Sequence, residues 1–464
     1  MLESIRLKSV GPVPQMAMDL APRLNLITGD NGLGKSFLLD VAWWALTRTW
    51  ARELVIPRPG AKAEISYKYT KKTKPSYEFK STYDAGRVRW TVKQSRPAIP
   101  GLILYAQVDG GFSVWDPMRN YWTEDAPDRP NAFLFTPEEV WRGNQFCKGL
   151  LDDWALWQAG NDSSFRILKQ VIGTLSPSKN ELLVPGDLRK LSVKDPQRYP
   201  TLRMPYGEDV AVVHASAGMR RVIALAYLLT WAWQEHVESA KLRGEKPARE
   251  IIFLVDEIEG HLHPQWQRRI VPALLNVMDA LTGAHGSKVQ LIAATHSPLV
   301  LASVESEFDA EKDAWFDLDL EQKNVVIHKR PYVRHGEVGN WLVSEAFDLK
   351  EPRSLEGEQA IQAAQAVLDA PTPTAKAIKE ADQALRDAGL PDIDPFWVSW
   401  GYFMQKRGVP RKALERVAKP EAKDARGHKL ASKAMHPAKP AANAVRATKP
   451  LAKPARVAKR GAKS

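Results

Sequence analysis

An α/β fold built on a buried parallel sheet is what this sequence predicts, and three observations predict it. "LNLITG", Leu24 to Gly29, is a short apolar run that feeds a glycine-rich turn and then an amphipathic helix. "EIIFLVDE" and "VQLIAATHS" are nearly continuous apolar runs, the pattern of strands covered on both faces. Helical stretches, "MRRVIALAYLLTWAWQEHVESAKLR" and "PQWQRRIVPALLNVMDALTG", alternate with them.

The other elements follow in chain order. "LESIRLKSV" reads as a first strand, and "AEISYKYT" and "RVRWTVKQ" alternate apolar and polar residues, as strands of a small antiparallel sheet beside the glycine-rich turn do. The texture changes after Gly101. "LILYAQVDGGFSVWD" predicts a hairpin around Gly110-Gly111, and "PEEVWRGNQFCKGLLDDWALWQ" predicts helix opened by Thr136-Pro137. Beyond the parallel strands, "FDLDLEQKNVVIHKR" predicts a terminal hairpin, with helices expected at Ser354 to Asp369, Thr374 to Gly389 and Pro395 to Arg407.

Charge is unevenly spread. The chain has 464 residues, is 44% hydrophobic and carries a net charge of +12. From Lys406 to Ser464 there are 18 Lys and Arg against 3 acids, a local +15 that leaves the rest near −3. That tail is Lys, Ala and Pro in loose repetition, with too few large apolar side chains to offset ordering entropy, so it is expected to be disordered. Almost without aromatics, it suits non-specific contact with nucleic-acid phosphates rather than base edges, the alternative being a solubilising extension. The single cysteine, Cys147, cannot form an intramolecular disulfide and reads as a small buried side chain. Charges occupy the N-terminal positions where a signal peptide requires an apolar run, and the longest apolar stretch, Val222 to Trp233, is too short to span a bilayer. The expectation is a cytoplasmic protein without a membrane partner.

Five motifs carry chemistry. Gly29-Asp30-Asn31-Gly32-Leu33-Gly34-Lys35-Ser36 fits G-x-x-x-x-G-K-[ST] with a strand before it and a helix after. Its glycines let backbone N–H groups face phosphates, Lys35 reaches the β and γ phosphates of a nucleotide such as ATP, and Ser36 can ligate Mg2+. At the end of "IIFLVDEIE", Asp256 belongs in the Mg2+ shell and Glu257 where a base can deprotonate water. Ser216 and Gly218, in "HASAGMRR", open the long helix, either as a plain cap or as a phosphate site presented to a second subunit. His296, in "THSP", follows the last buried strand and would reach the γ-phosphate edge of the sheet. The fifth motif is Glu259-Gly260-His261-Leu262-His263-Pro264, whose two histidines without a placed third ligand favour a structural or interface role over a metal. Gln107, in "YAQVDGG", is a candidate link between Mg2+ and the inserted lobe, competing with Gln94 and Gln145 and with a solvent-facing reading.

In their order from Met1 to about Ser303, these motifs resemble the ATP-binding-cassette (ABC) ATPases, in particular their RecF/OLD-like branch. The resemblance implies an ABC-type P-loop ATPase head, split between residues 1–100 and 206–330, around an inserted mixed lobe at 101–205. A helical region at 331–407 and the basic tail at 408–464 complete the expected organisation. It further implies that Ser216 and Gly218 contact ATP in trans, that Glu257 is the catalytic base, and that His296 is the switch histidine in a head-to-tail homodimer or higher oligomer. Ala217 stands where the family signature has its first glycine. Ile258 after Glu257 and the 40 positions from Ser216 to Asp256 depart from the transporter pattern, while 181 positions from Lys35 to Ser216, broken by prolines, leave no room for a long coiled-coil arm.

Asp317 and Asp319 in "WFDLDLEQ" read as alternating acids on an exposed strand, and about a hundred residues after Ser303 are too few for an appended nuclease. The resemblance therefore narrows to stand-alone defence ATPases such as those of the Septu and PARIS systems, whose nuclease or toxin is a separate polypeptide. The function implied is an ATP-hydrolysing, dimeric, nucleotide-gated sensor or clamp on nucleic acid or a partner effector, in anti-phage defence or DNA maintenance. The alternative is a regulatory scaffold that holds a toxin or nuclease partner with ATP as a slowly hydrolysed structural ligand.

Overall fold

The computed structural model describes residues 1–70, 77–92, 101–120, 132–178, 180–248, 250–282 and 288–407. The tail expected at 408–464, and Gln94, lie outside the described residues. An eight-stranded sheet carries the molecule. Five of its strands run parallel, in the order Asp313–Glu321, Leu24–Gly29, Lys288–Ala294, Glu250–Val255 and Leu102–Ala106. Antiparallel strands flank them: Asn324–Arg330 on one side, Phe112–Trp115 and Phe133–Phe135 on the other.

Both faces of the parallel strands are covered, which is why their sequences run apolar without a break. Ile251, Phe253 and Val255 pack with the helices Leu150–Gly160, Ser163–Thr174, Ala217–Leu242 and Ile270–Thr282. Ile252 and Leu254, on the opposite face, pack with the helix Lys35–Thr47 and with a five-stranded antiparallel sheet. That second sheet runs in the order Gln15–Asp19, Leu2–Lys8, Glu64–Tyr69, Tyr77–Asp84 and Arg89–Trp90; its second, third and fifth strands lie in stretches expected to be strands, while Gln15–Asp19 and Tyr77–Asp84 were not expected. Gln290 fastens the two sheets. Its side chain, wholly buried in the large sheet, accepts from Leu2 N at 2.8 Å and donates to Leu2 O and Ala21 O at 2.8 and 2.9 Å.

Three differences from the sequence reading have physical causes. The helix expected from Pro264 onward is two, Pro264–Gln267 and Ile270–Thr282. Proline has no N–H to give a helix interior, and restarting at Ile270 puts Pro272 in a first turn where none is needed. Residue 101, where a lobe was expected to begin, instead leads directly into Leu102–Ala106, which pairs with Glu250–Val255, so the large sheet continues across that boundary. Asp317, expected on an exposed strand, is buried at 1% exposure. Its strand pairs with Leu24–Gly29 on one side, where Thr28 Oγ1 donates to Asp317 Oδ1 at 2.8 Å, and Arg330 pairs with it from the other. The C-terminal helices Leu355–Asp369, Ala375–Asp387 and Phe396–Lys406 share a core of their own, with Ser354 and Thr374 capping the first two.

Candidate nucleotide-binding site

The site begins where Leu24–Gly29 leaves the sheet. Gly29, Gly32 and Gly34 have φ of 126°, 82° and 101°, the left-handed range that only glycine enters without strain. A side chain at Gly29 would also run into the Leu318 carbonyl of the neighbouring strand. The helix Lys35–Thr47 starts at once, so its free N–H groups and positive end face the turn. Lys35 is buried and folded over the loop, its Nζ donating to Gly29 O at 2.6 Å and Asp30 O at 2.8 Å. Burial pushes the Lys35 ammonium below the usual lysine range.

Ser36 crosses to the next motif. Its Oγ donates to Asp256 Oδ1 at 3.0 Å, and Asp256, at the end of Glu250–Val255, is 1% exposed. Arg52 holds the other oxygen. Its Nη2 lies 3.3 Å from Asp256 Oδ2 and 2.7 Å from the Tyr105 hydroxyl, while its Nε donates to Asp40 Oδ1 at 3.0 Å. Sequence reasoning missed Arg52, Asp40 and Tyr105. Only Asp40 left a signal, since four residues after Ser36 it shares that helix face.

The chain then turns sharply. Glu257 has φ 45°, unusual for a residue with a Cβ, and Arg221 secures the turn by donating to Asp256 O at 3.0 Å and Glu257 O at 3.2 Å. The same guanidinium donates to Val108 O at 3.0 Å. Burial lowers the Arg221 pKa from its ordinary value, a cost its three carbonyl acceptors offset. Arg221 was also missed, lying as it does five residues past the signature serine.

Glu259 ties this turn to the histidine loop, accepting from Thr295 Oγ1 at 2.7 Å and from His296 N at 2.5 Å. His296 is half-buried. Burial first, then the Lys35 charge, holds its imidazole below the ordinary histidine value, and Thr295 N, donating to Ile27 O at 3.0 Å, sets this loop beside the strand that leads into Gly29. Gln107 directly follows Ala106, the register partner of Val255, and so lies alongside Asp256. It is buried, with Nε2 donating to Ser113 Oγ at 3.0 Å, which overturns the solvent-facing reading; its competitor Gln145 is exposed.

Ser216 caps the helix Ala217–Leu242, its Oγ accepting from Met219 N at 3.4 Å, and stays exposed. Gly218 is different. It is buried against its own chain, where an added Cβ would stand 2.6 Å from His261 O, so this glycine lets the helix approach the His261 turn. Lys35, Ser36, Asp256 and His296 thus share one place with Gln107 beside it, and Gly218 serves the turn that follows Glu257. Among the described residues, no three or more His, Cys, Asp or Glu side chains are grouped to hold a metal, and His263 caps Pro264–Gln267 instead.

Several known proteins resemble parts of this chain. Residues 148–302 match the family described as "AAA domain, putative AbiEii toxin, Type IV TA system". The Septu protein PtuA of Bacillus thuringiensis is 24% identical over 369 residues, 76% of this chain and 85% of that protein. The chain resembles ABC-type ATPases and, among them, defence ATPases. The "Retron Vc95 probable ATPase" of Vibrio cholerae serotype O1 biovar El Tor is 36% identical over 102 residues, 22% of this chain but only 18% of that protein. Among solved structures, the SMC head domain from Thermotoga maritima aligns with 71% of this chain and 99% of its own, at 14% identity and a TM-score of 0.36. The region matched to the family takes in Ser216, Asp256, Glu257 and His296, and Gly29–Ser36 precede it. Among the described residues, no helix is long and apolar enough to cross a membrane.

Proposed function

We propose that this chain is an ATPase that binds MgATP between Gly29–Ser36 and Asp256, hydrolyses it to ADP and phosphate with Glu257 as general base, and works as a homodimer whose heads close over the nucleotide. The observation that carries the proposal is the 3.0 Å hydrogen bond from Ser36 Oγ to Asp256 Oδ1, which joins the phosphate loop to the acidic strand end across 220 residues.

A hydroxyl and a carboxylate oxygen side by side, with the carboxylate buried, match the all-oxygen preference of Mg2+, which takes one or two protein oxygens plus phosphates and water. Ser36 and Asp256 would hold the ion, with Gln107 next to them. Bound there, the ion neutralises phosphate charge. The chain's own groups do the rest. Backbone N–H groups of the loop receive the phosphate oxygens, and Lys35 Nζ exchanges the Gly29 and Asp30 carbonyls for them. The Glu257 carboxylate takes the proton of the attacking water as its oxygen bonds to the γ phosphorus and ADP leaves. His296, neutral at pH 7, donates one hydrogen bond to the γ-phosphate. Ser216, exposed at the start of a 26-residue helix, offers a hydroxyl and a positive helix end to ATP held by a second protomer.

Dimer closure then acts on nucleic acid or on a separate effector, a nuclease or toxin subunit, in anti-phage defence. Similarity to a Septu protein and to a retron ATPase supports this reading, and the basic composition of residues 408–464 supports non-specific contact with nucleic-acid phosphates. Steady-state hydrolysis by the full chain tests the chemistry. Lys35→Ala weakens MgATP binding, whereas Glu257→Gln keeps binding and loses about 10²- to 10⁴-fold in turnover. Wild-type turnover in Glu257→Gln moves the base elsewhere.

A further inference from the structure

A cleft of about 620 Å³ opens between the helix Ala217–Leu242, the turn at Gln107–Gly111 and the Ile258–Leu262 segment. No residue of the phosphate loop lines it. Its floor is apolar, with Leu225 and Leu228 from the long helix facing Ile270 and Leu274. A volume of this size, apolar with few polar groups, is typical of sites for small organic ligands.

The rim differs in character from the floor. Arg220 lies over the Trp141 ring, Cζ 4.8 Å from its centroid, and has no carboxylate partner among the described residues. It is exposed, so its charge faces the cleft mouth and solvent. Arg142 adds a second cation; of the two carboxylates that also line the cleft, Glu138 holds Arg142 loosely at 3.9 Å and Asp109 accepts from Gly111 N at 2.8 Å. An unpaired guanidinium on an aromatic plane above an apolar cavity suits one class of occupant: a molecule with a flat or alkyl apolar body and a single anionic head.

We propose that this cleft binds a small amphipathic anion, its apolar body between Leu225, Leu228 and Leu274 and its carboxylate, sulfonate or phosphate at Arg220. The site is separate from the nucleotide loop yet mechanically next to it. Arg221, in the cleft wall, is the residue that holds the carbonyls of Val108, Asp256 and Glu257, so an occupant shifting the helix also shifts the turn that carries Glu257.

The test uses two fluorescent probes on the full chain: 8-anilinonaphthalene-1-sulfonate, which is anionic, and N-phenyl-1-naphthylamine, which has the same kind of body without charge. The expected result is saturable binding of one sulfonate probe per chain. Arg220→Ala weakens that probe at least tenfold and leaves the neutral probe within twofold. Ala224→Trp, which fills the cleft from a partly exposed position, removes both, with circular dichroism confirming that it folds. Lys35→Ala changes neither, which separates this site from the nucleotide reading. Equal binding of the sulfonate probe to wild type, Arg220→Ala and Ala224→Trp would overturn the proposal, as would no saturable binding at millimolar probe.

Discussion

Arg52 carries more of the site than its place in the sequence suggests. It touches Asp256, Asp40 and the Tyr105 hydroxyl together, and without it two carboxylates share a desolvated space. Burial already raises the Asp40 pKa, with Arg52 opposing that rise. Arg52→Met is therefore expected to cost about 3 kcal/mol of folding stability, the range for removing one partner of a buried ion pair, read by urea unfolding of the full chain. A loss under 0.5 kcal/mol contradicts this role. His296 sets a pH expectation. Because burial and the Lys35 charge lower its pKa, the acid limb of the rate profile is expected on the acid side of the ordinary histidine value. Unfolded imidazole binds the proton first, so stability contributed by this site is full above pH 6.5 and falls as pH drops below it. A rate limb centred at 6.5 or higher would sink the neutral-histidine reading. The contrast with the phosphate loop is instructive. Gly29 to Ser36 is legible because one short covalent stretch makes the whole cradle; Arg52, Tyr105 and Arg221 find their partners only through folding, and nothing local in the sequence specifies them.

At the scale of elements, the helix Ala217–Leu242 couples the signature serine to the acidic turn. Gly218 makes the approach possible and Arg221 fastens it. Gly218→Ala drives a methyl toward His261 O, an overpacking cost of about 1–3 kcal/mol, and displaces the turn that carries Glu257. The expected result is a lower melting temperature together with turnover reduced more than MgATP affinity. Unchanged melting and turnover would mean that the helix has room to move. Strands and most helices were legible because burial on one or both faces writes period 2, period 3.6 or an unbroken apolar run directly into the chain. Two elements resisted. The Pro272 break was hidden inside a continuous helical pattern, and the membership of Leu102–Ala106 in the large sheet was hidden because parallel neighbours are far apart in sequence. Asp317 looked exposed because alternation tells inside from outside only if one face is free, and both faces of this strand are covered, with Trp315 in one core and Phe316 and Leu318 in the other.

For the whole molecule, one sheet gathers the phosphate loop, the acidic turn, Gln107 and the histidine loop along its strand ends while two different layers cover its faces. The strand ends at Gly29, Gln107, Asp256 and Thr295 come from four adjacent strands, so the order of the sheet, more than the order of the chain, assembles the site. Within one protomer that assembly supplies the phosphate loop, the acids and the histidine, but Ser216 remains exposed at its helix end. A second head is what the proposed chemistry needs to use it. Light scattering of full-length Glu257→Gln with and without MgATP tests this most directly. The protein has a mass of 51.9 kDa. The account predicts that MgATP raises the measured mass by one further protomer per head pair, and that adding Ser216→Arg to Glu257→Gln prevents the rise while ATP remains bound. A mass that does not respond to MgATP, or that rises equally in the Ser216→Arg variant, would contradict it.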